Sequence, residues 1–132
     1  MAVSLQGYDA TTVTFQVDSS STVKVGMPLT LSGNITVKPA AAGEEFMGIA
    51  TAVSTGYAAV QMKGYIQVKV SGSMPAVGFA ALEADGEGKL KVVAAAAPSS
   101  GGDDDTTQTA ATGRRVLVTD VDSTNSIAGI IL

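Results

Sequence analysis

Apolar and polar residues alternate with a period of two along most of this chain, and short glycine-containing turns separate the alternating stretches. In Thr11–Val17, Val13, Phe15 and Val17 share one face, while polar residues share the other. Such alternation is typical of strands buried on one side, because successive side chains of a strand point to opposite faces. No segment has a sustained helical period, so the sequence predicts an all-β fold.

Further strands are predicted where short apolar or alternating stretches lie between turn signals. The stretch beginning at Tyr65 is expected to turn Ile66 and Val68 inward and Tyr65 itself outward. The last stretch, 126–132, is apolar on both faces apart from its first residue and is predicted to be covered on both sides. The other predicted strands are 29–31, 35–37, 47–53, 57–63, 81–82, 89–93 and 116–121. Short strands at near-regular spacing favour a small β-sandwich or barrel of antiparallel strands.

The length of 132 residues suits one domain with a hydrophobic core. We expect an N-terminal arm at 1–12 and a single β domain at 13–132. Within that domain, 94–113 interrupts the strands with small, polar and acidic residues that cannot build a core of their own. This segment is predicted to be a long acidic surface loop, inserted between two strands.

Four glycines are predicted to lie in the turns that join strands: Gly26, Gly33, Gly78 and Gly88. Ser32-Gly33-Asn34 separates two short apolar stretches and indicates a tight hairpin. Glycine is favoured in such turns because it adopts positive φ angles without steric cost.

A weak internal repeat relates 25–53 to 77–121. Each segment begins with Val-Gly, continues through a hairpin with a glycine turn, and ends in an apolar stretch. On this alignment Gly48–Val53 corresponds to Val116–Val121, and the acidic loop is an insertion in the second copy. An internal duplication and a chance similarity between β-hairpins explain the pattern equally well.

Histidine, cysteine and tryptophan are absent from the sequence. The commonest general base and the commonest metal ligand are therefore missing, as are thiolate metal sites and disulfides. We expect a non-enzymatic protein with no cofactor and no bound metal.

Charged residues make up 15% of the chain, and the net charge is −4. Nucleic-acid binding needs a basic stripe, so no nucleic-acid partner is expected. The one basic pair, Arg114-Arg115, is interpreted as the solvated start of a strand. No apolar stretch approaches the ~20 residues of a membrane helix, and the N-terminus lacks a signal-peptide pattern. We therefore expect no membrane partner and synthesis in the cytoplasm.

One string has the form of a catalytic motif. Asp120-x-Asp122-x-Thr124 follows an apolar strand and resembles the first motif of haloacid-dehalogenase-type phosphatases, in which the first Asp is the nucleophile. That family needs further motifs downstream, and eight residues follow Thr124. The string also lacks the Gly and Glu of a calcium-binding EF-hand loop. We interpret it as a strand followed by an Asx-rich turn, and Asp103–Asp105 as solvated carboxylates.

The order of short motifs along the chain resembles that of the capsid decoration, or cement, proteins of tailed phages. The resemblance covers most of the chain from about Val13 onward, and its motifs are turn-and-strand signals of moderate specificity. The matching residues are Val23–Leu29, Ala41–Glu44, Gly48–Ala50, Tyr65–Val70, Val77–Leu82 and Gly88–Leu90.

The resemblance implies a homotrimer on the outside of an icosahedral capsid, where it bridges capsomers of the major capsid protein and stabilises the head. It would then be a structural virion protein located on the capsid exterior. Val3, Leu5 and Tyr8 are the candidate capsid-interface residues, because an N-terminal segment this short can pair with another protein as an added strand or clamp. A frayed terminus is the alternative. The alternative function is a non-catalytic adhesive or carbohydrate-binding β-module of a phage spike or fibre.

Overall fold

The computed structural model describes residues 5–93 and 113–132 and confirms the all-β prediction. Residues 94–112, nearly all of the predicted acidic loop, lie outside this part of the chain. Among the described residues there is no helix, and hence none that could cross a membrane. The ten strands are β1 Thr11–Val17, β2 Pro28–Gly33, β3 Thr36–Pro39, β4 Gly48–Ser54, β5 Tyr57–Lys63, β6 Tyr65–Lys69, β7 Gly78–Ala84, β8 Leu90–Val92, β9 Arg114–Asp122 and β10 Ile127–Ile131.

The first five strands form a closed barrel in the order β1-β3-β2-β4-β5. β1 closes the barrel, because it pairs antiparallel with β5 and parallel with β3 at Gln16 and Val17. Alternate residues of the strands fill the interior, and Leu29, Val37 and Val60 are fully buried there.

The second five strands form a sheet in the order β6-β10-β9-β7-β8. β10 is an interior strand, and both its faces are covered as predicted: Ala128 and Ile130 are buried on one face, and Gly129 is buried on the other. The two edge strands, β6 and β8, approach each other through a single parallel bridge between Val70 and Leu90. The second sheet therefore comes close to closing in the same manner as the first.

The two halves of the chain repeat one topology. In each half the first strand pairs antiparallel with the fifth, the second pairs with both the third and the fourth, and the fourth pairs with the fifth. The parallel contact between first and third strands recurs as well, at Val17–Val37 in the barrel and at Val70–Leu90 in the second sheet. This shared closure supports the internal duplication, because chance similarity between hairpins would not produce it.

A shared irregularity fixes the alignment of the two halves. The β4–β5 register shifts between Ala50 and Ala52, and the β9–β10 register shifts next to Thr119. The extra residue is a threonine in both halves. The Thr51 hydroxyl donates to the Ala59 carbonyl at 3.3 Å, and the Thr119 hydroxyl lies 3.2 Å from the Gly129 carbonyl. β-Bulges are conserved structural features, so this pair aligns β4 with β9 as the sequence repeat does.

Each half has its own hydrophobic cluster, but the first half also contributes to the second cluster. Phe46 and Ile49, at the entrance to β4, are buried among residues of the second sheet. Large buried side chains of this kind each stabilise a fold by roughly 1.5–3 kcal/mol. The two halves are therefore joined by packed apolar contacts as well as by the chain.

Tyr65 departs from the outward orientation predicted for it. Only 6% of the residue is exposed, since its hydroxyl reaches the Asp120 carboxylate at 3.1 Å. Gly129 makes this possible, because a Cβ at that position would collide with both the tyrosine hydroxyl and the carboxylate. Val13, on the predicted inward face, is 42% exposed although it lies opposite the buried Val60.

The first hairpin turn lies slightly further along the chain than predicted. Gly33 is the last residue of β2, and the turn itself is formed by Asn34 and Ile35. Ile35 has a φ of 52°, so it takes the left-handed conformation that the sequence suggested for Gly33. The other three predicted turn glycines, Gly26, Gly78 and Gly88, do have positive φ angles.

Candidate interaction surfaces

Residues 5–10 form a pair of turns that dock onto the junction between the two halves. The Tyr8 N–H donates to the Leu5 carbonyl, and the Tyr8 carbonyl accepts a 2.9 Å hydrogen bond from the Tyr65 N–H. Asp9 forms an exposed salt bridge of 3.1 Å with Lys63. The described part of the N-terminus is therefore neither a strand nor a frayed end but a turn anchored to its own chain.

The three candidate capsid-interface residues differ in their surroundings. Val3 lies outside the described residues. Leu5 is half-buried, and Tyr8 is 56% exposed while its backbone is held against Tyr65. Because its backbone is already held in place, the exposed Tyr8 side chain would lose little conformational entropy on binding a partner, as suits an interface residue.

Several other large apolar side chains are exposed. Leu31 and Ile35 lie at the β2–β3 hairpin, and the Ile35 carbonyl accepts a hydrogen bond from the Gln16 N–H of β1. Val77 and Phe79 lie at the start of β7 and are each 68% exposed. Exposed apolar side chains that group together are characteristic of surfaces that bind other proteins.

Only one residue of the basic pair Arg114-Arg115 is solvated as the sequence suggested. Arg114 points into the junction, where its guanidinium donates to the carbonyls of Met47 at 2.5 Å and Met62 at 3.1 Å. It also lies 5.7 Å from the centre of the Phe46 ring. Burial lowers the pKa of Arg114, which stays charged at neutral pH. Arg115 points the opposite way and stacks on exposed Phe79 at 4.5 Å.

The two aspartates of the phosphatase-like string have different roles. Asp120 accepts hydrogen bonds from the hydroxyls of Tyr65 and Thr119, and burial raises the pKa of Tyr65. Asp122 accepts from the side-chain and backbone nitrogens of Asn125 and the Thr124 N–H, and these bonds lower its pKa. The predicted strand followed by an Asx-rich turn is confirmed.

A cleft of about 380 Å³ lies between the two halves. The segment before β2 forms one side, and β6, the start of β10 and the loop before β8 form the other. Lysines are its main charged groups: Lys24, Lys69 and Lys89 line it, and Glu87 is the one carboxylate among the described residues of its lining. These are three of the six lysines in the sequence, and their distant positions along the chain gave no sign that the fold brings them together. The remaining lining residues are Val25, Gly26, Met27, Gln67, Val68, Gly88 and Ile127.

Asp85 shapes the loop that carries Glu87, Gly88 and Lys89 into the cleft. Its carboxylate accepts hydrogen bonds from the backbone N–H groups of Glu87 at 2.7 Å and Lys89 at 3.0 Å. Partial burial raises the pKa of Asp85, but these bonds and those from other neighbours outweigh it, so the pKa lies below its ordinary value.

Asp85 is therefore expected to make stability depend on pH at the acid end. A carboxyl whose folded pKa is depressed stabilises the fold above the unfolded pKa, near 3.9, and loses that contribution as pH falls through the folded pKa. The Asp85→Asn variant should be less stable than wild type at pH 7, and the gap should narrow below about pH 4. Urea denaturation of both proteins at pH 7 and pH 3 measures the gap, and a gap of equal size at both values would contradict this role.

Within residues 5–93 and 113–132, no three His, Cys, Asp or Glu side chains group to hold a metal ion. Asp103–Asp105 lie outside the described residues. No protein-family model matches the sequence, and no curated protein matches it.

Proposed function

We propose that this protein is a structural, non-enzymatic decoration protein that binds the outside of a tailed-phage capsid and stabilises the shell by bridging capsomers. The observation that carries the proposal is the order of sequence motifs, which resembles that of this family over most of the chain. Its major partner would be the major capsid protein, and its working form a homotrimer on the virion exterior.

Several features of the fold are consistent with such a role. The two halves pack against each other through buried apolar side chains, and packed protein interiors resist deformation. The exposed apolar side chains, among them Leu31, Ile35, Val77 and Phe79, provide surface for contacts between subunits or with a shell. Many copies that each add a modest interface would stabilise a shell by mass action and avidity.

The polar groups of the phosphatase-like string also favour a structural role. Asp120 and Asp122 serve as hydrogen-bond acceptors for a buried tyrosine and for a turn. We therefore expect the wild-type protein to show no magnesium-dependent phosphatase turnover, and turnover that is lost in an Asp120→Asn variant would contradict a purely structural role.

Capsid binding tests the proposal directly. Purified protein should cosediment at fixed stoichiometry with undecorated capsids built from the major capsid protein of the same genome. Deleting residues 1–10 should weaken binding by about tenfold or more, because it removes Tyr8 and the segment predicted to contact the shell. A Tyr57→Ala variant, altered at a similarly exposed tyrosine elsewhere, serves as the control for general surface effects.

The deletion should leave the fold intact. It removes the Tyr65–Tyr8 backbone hydrogen bond and an exposed salt bridge, together worth about 1–2 kcal/mol. If the shortened protein binds capsids as well as wild type, the N-terminal segment does not act as a capsid clamp. If the full-length protein is a monomer that never binds capsids, the decoration proposal is wrong.

A further inference from the structure

The outer edge of β6 is paired at both ends and open in the middle. At one end the Tyr65 N–H donates to the Tyr8 carbonyl, and just beyond the other end the Ser71 N–H donates to the Leu90 carbonyl. Backbone groups of a strand alternate in direction, so the N–H groups of Gln67 and Lys69 point to this same side. The Val70 N–H confirms the alternation, because it donates the opposite way, to Ser126 at the β10 side.

In the first barrel, the corresponding edge of β1 is paired with β3. There the Gln16 N–H donates to the Ile35 carbonyl at 2.9 Å, one step before the Val17–Val37 pair. The corresponding step before the Val70–Leu90 bridge is Lys69 with Gly88. Within the described residues this hydrogen bond is absent, and both residues line the cleft instead. The seam that the first barrel closes is therefore open in the second half.

The lining of the cleft at this open seam carries a net positive charge, whereas the chain as a whole is negative. Three lysines and one glutamate line it, in a chain whose net charge is −4. Val25, which is 65% exposed, and Met27 provide apolar surface beside these charges. Lysines and apolar surface beside an open strand edge suit an extended peptide with alternating acidic and apolar side chains, because such a peptide presents one kind on each face.

We propose that this cleft binds an extended, acidic peptide segment of a partner protein, which adds to the open edge of β6. The partner backbone accepts hydrogen bonds from the N–H groups of Gln67 and Lys69. Its carboxylates meet Lys24, Lys69 and Lys89, and its apolar side chains cover Val25. The inference is independent of the capsid proposal, because it rests on the strand edge and the lysines alone.

A peptide fits the cleft better than a nucleic acid does. Among the described residues that line the cleft, none is aromatic and could stack on a base, and none is an arginine that could hold a phosphate in a bidentate manner. The acidic chain as a whole also repels a polyanion.

The test is an NMR titration of the full-length protein with an acetylated hexapeptide amide that alternates glutamate and valine. We expect saturable shifts that are largest at the amides of Gln67, Lys69 and Gly88, and weaker binding as salt is raised. Lys69→Glu and Lys24→Glu should each weaken binding about fivefold or more. Lys38→Glu, the same change outside the cleft lining, should leave affinity within about twofold.

Two N-methylated forms of the peptide test the added strand. One carries methyl groups on the first, third and fifth backbone nitrogens, and the other on the second, fourth and sixth. Only one set of peptide groups can face β6, so one form should lose binding and the other should keep it. Equal binding by both forms would overturn strand addition.

Other outcomes would also overturn the proposal. These are equal binding by a lysine–valine hexapeptide, shifts scattered away from the cleft, and displacement of the peptide by a single-stranded oligonucleotide at matched charge. Tighter peptide binding after Asp103, Asp104 and Asp105 are all changed to asparagine would assign the cleft to the protein's own acidic tract. Such a result would likewise remove the need for a partner.

Discussion

Replacing Arg114 with alanine is expected to lower the free energy of unfolding by about 3 kcal/mol. The guanidinium of Arg114 donates to the carbonyls of Met47 and Met62, which belong to the first half of the chain, while Arg114 itself begins β9 of the second. Truncation leaves two partly buried carbonyls without their donor and removes the contact with Phe46. Hydrogen bonds from charged groups contribute about 1.5–3 kcal/mol each, part of which water recovers in a partly exposed site.

The neighbouring arginine is the matched control. Arg115 stacks on exposed Phe79, and its side chain makes no hydrogen bond or ion pair within residues 5–93 and 113–132, so Arg115→Ala should cost about 0.5–1 kcal/mol. Thermal and urea denaturation of the two variants measure the difference, which should appear as a melting temperature roughly 10 °C lower for Arg114→Ala than for wild type. Equal losses for both variants would show that the carbonyl contacts of Arg114 do not join the halves.

The strands could be predicted from the sequence because their period-two pattern reports directly on burial. β1 and β5 begin and end at the predicted residues, and β10 is covered on both faces as its composition indicated. The repeat was visible in Gly48–Val53 and Val116–Val121, but two short apolar stretches are not enough to exclude chance. The shared strand order and the threonine bulges supply the missing support, since they depend on pairing between strands distant in sequence.

Side chains whose environment depends on distant residues could not be predicted in this way. Tyr65 occupies a polar position of its strand, and its burial depends on Gly129 and Asp120, more than fifty residues away. Arg114 has the same alternation as any surface strand residue, and only the packing of the two halves turns it inward. The grouping of the cleft lysines likewise depends on the fold, because no short motif relates Lys24 to Lys69. The sequence therefore determines strands better than it determines the surfaces they create.

Gly64 is the second position where a small change is expected to have a large effect, and it lies at the junction of the two halves between β5 and β6. Its φ is 92°, a conformation that costs residues with a side chain about 1–2 kcal/mol. A Cβ there would also collide with the Tyr8 carbonyl and the Asp9 backbone, and forced overpacking costs about 1–3 kcal/mol. Gly64→Ala should therefore lower the free energy of unfolding by about 4 kcal/mol.

The deletion of residues 1–10 separates the two causes of this loss. Without Tyr8 and Asp9 the collision is gone, and Gly64→Ala should cost only the 1–2 kcal/mol of backbone strain. Urea denaturation of the four proteins, with and without each change, gives the coupling between the N-terminal turns and the junction. A Gly56→Ala variant provides the control, because Gly56 has a φ of 80° but open space around its Cβ position. Gly56→Ala should lower the free energy of unfolding by the same amount in the full-length protein and in the protein that lacks residues 1–10. If Gly64→Ala also lowers the free energy of unfolding equally in both backgrounds, the N-terminal turns do not pack against the junction as described.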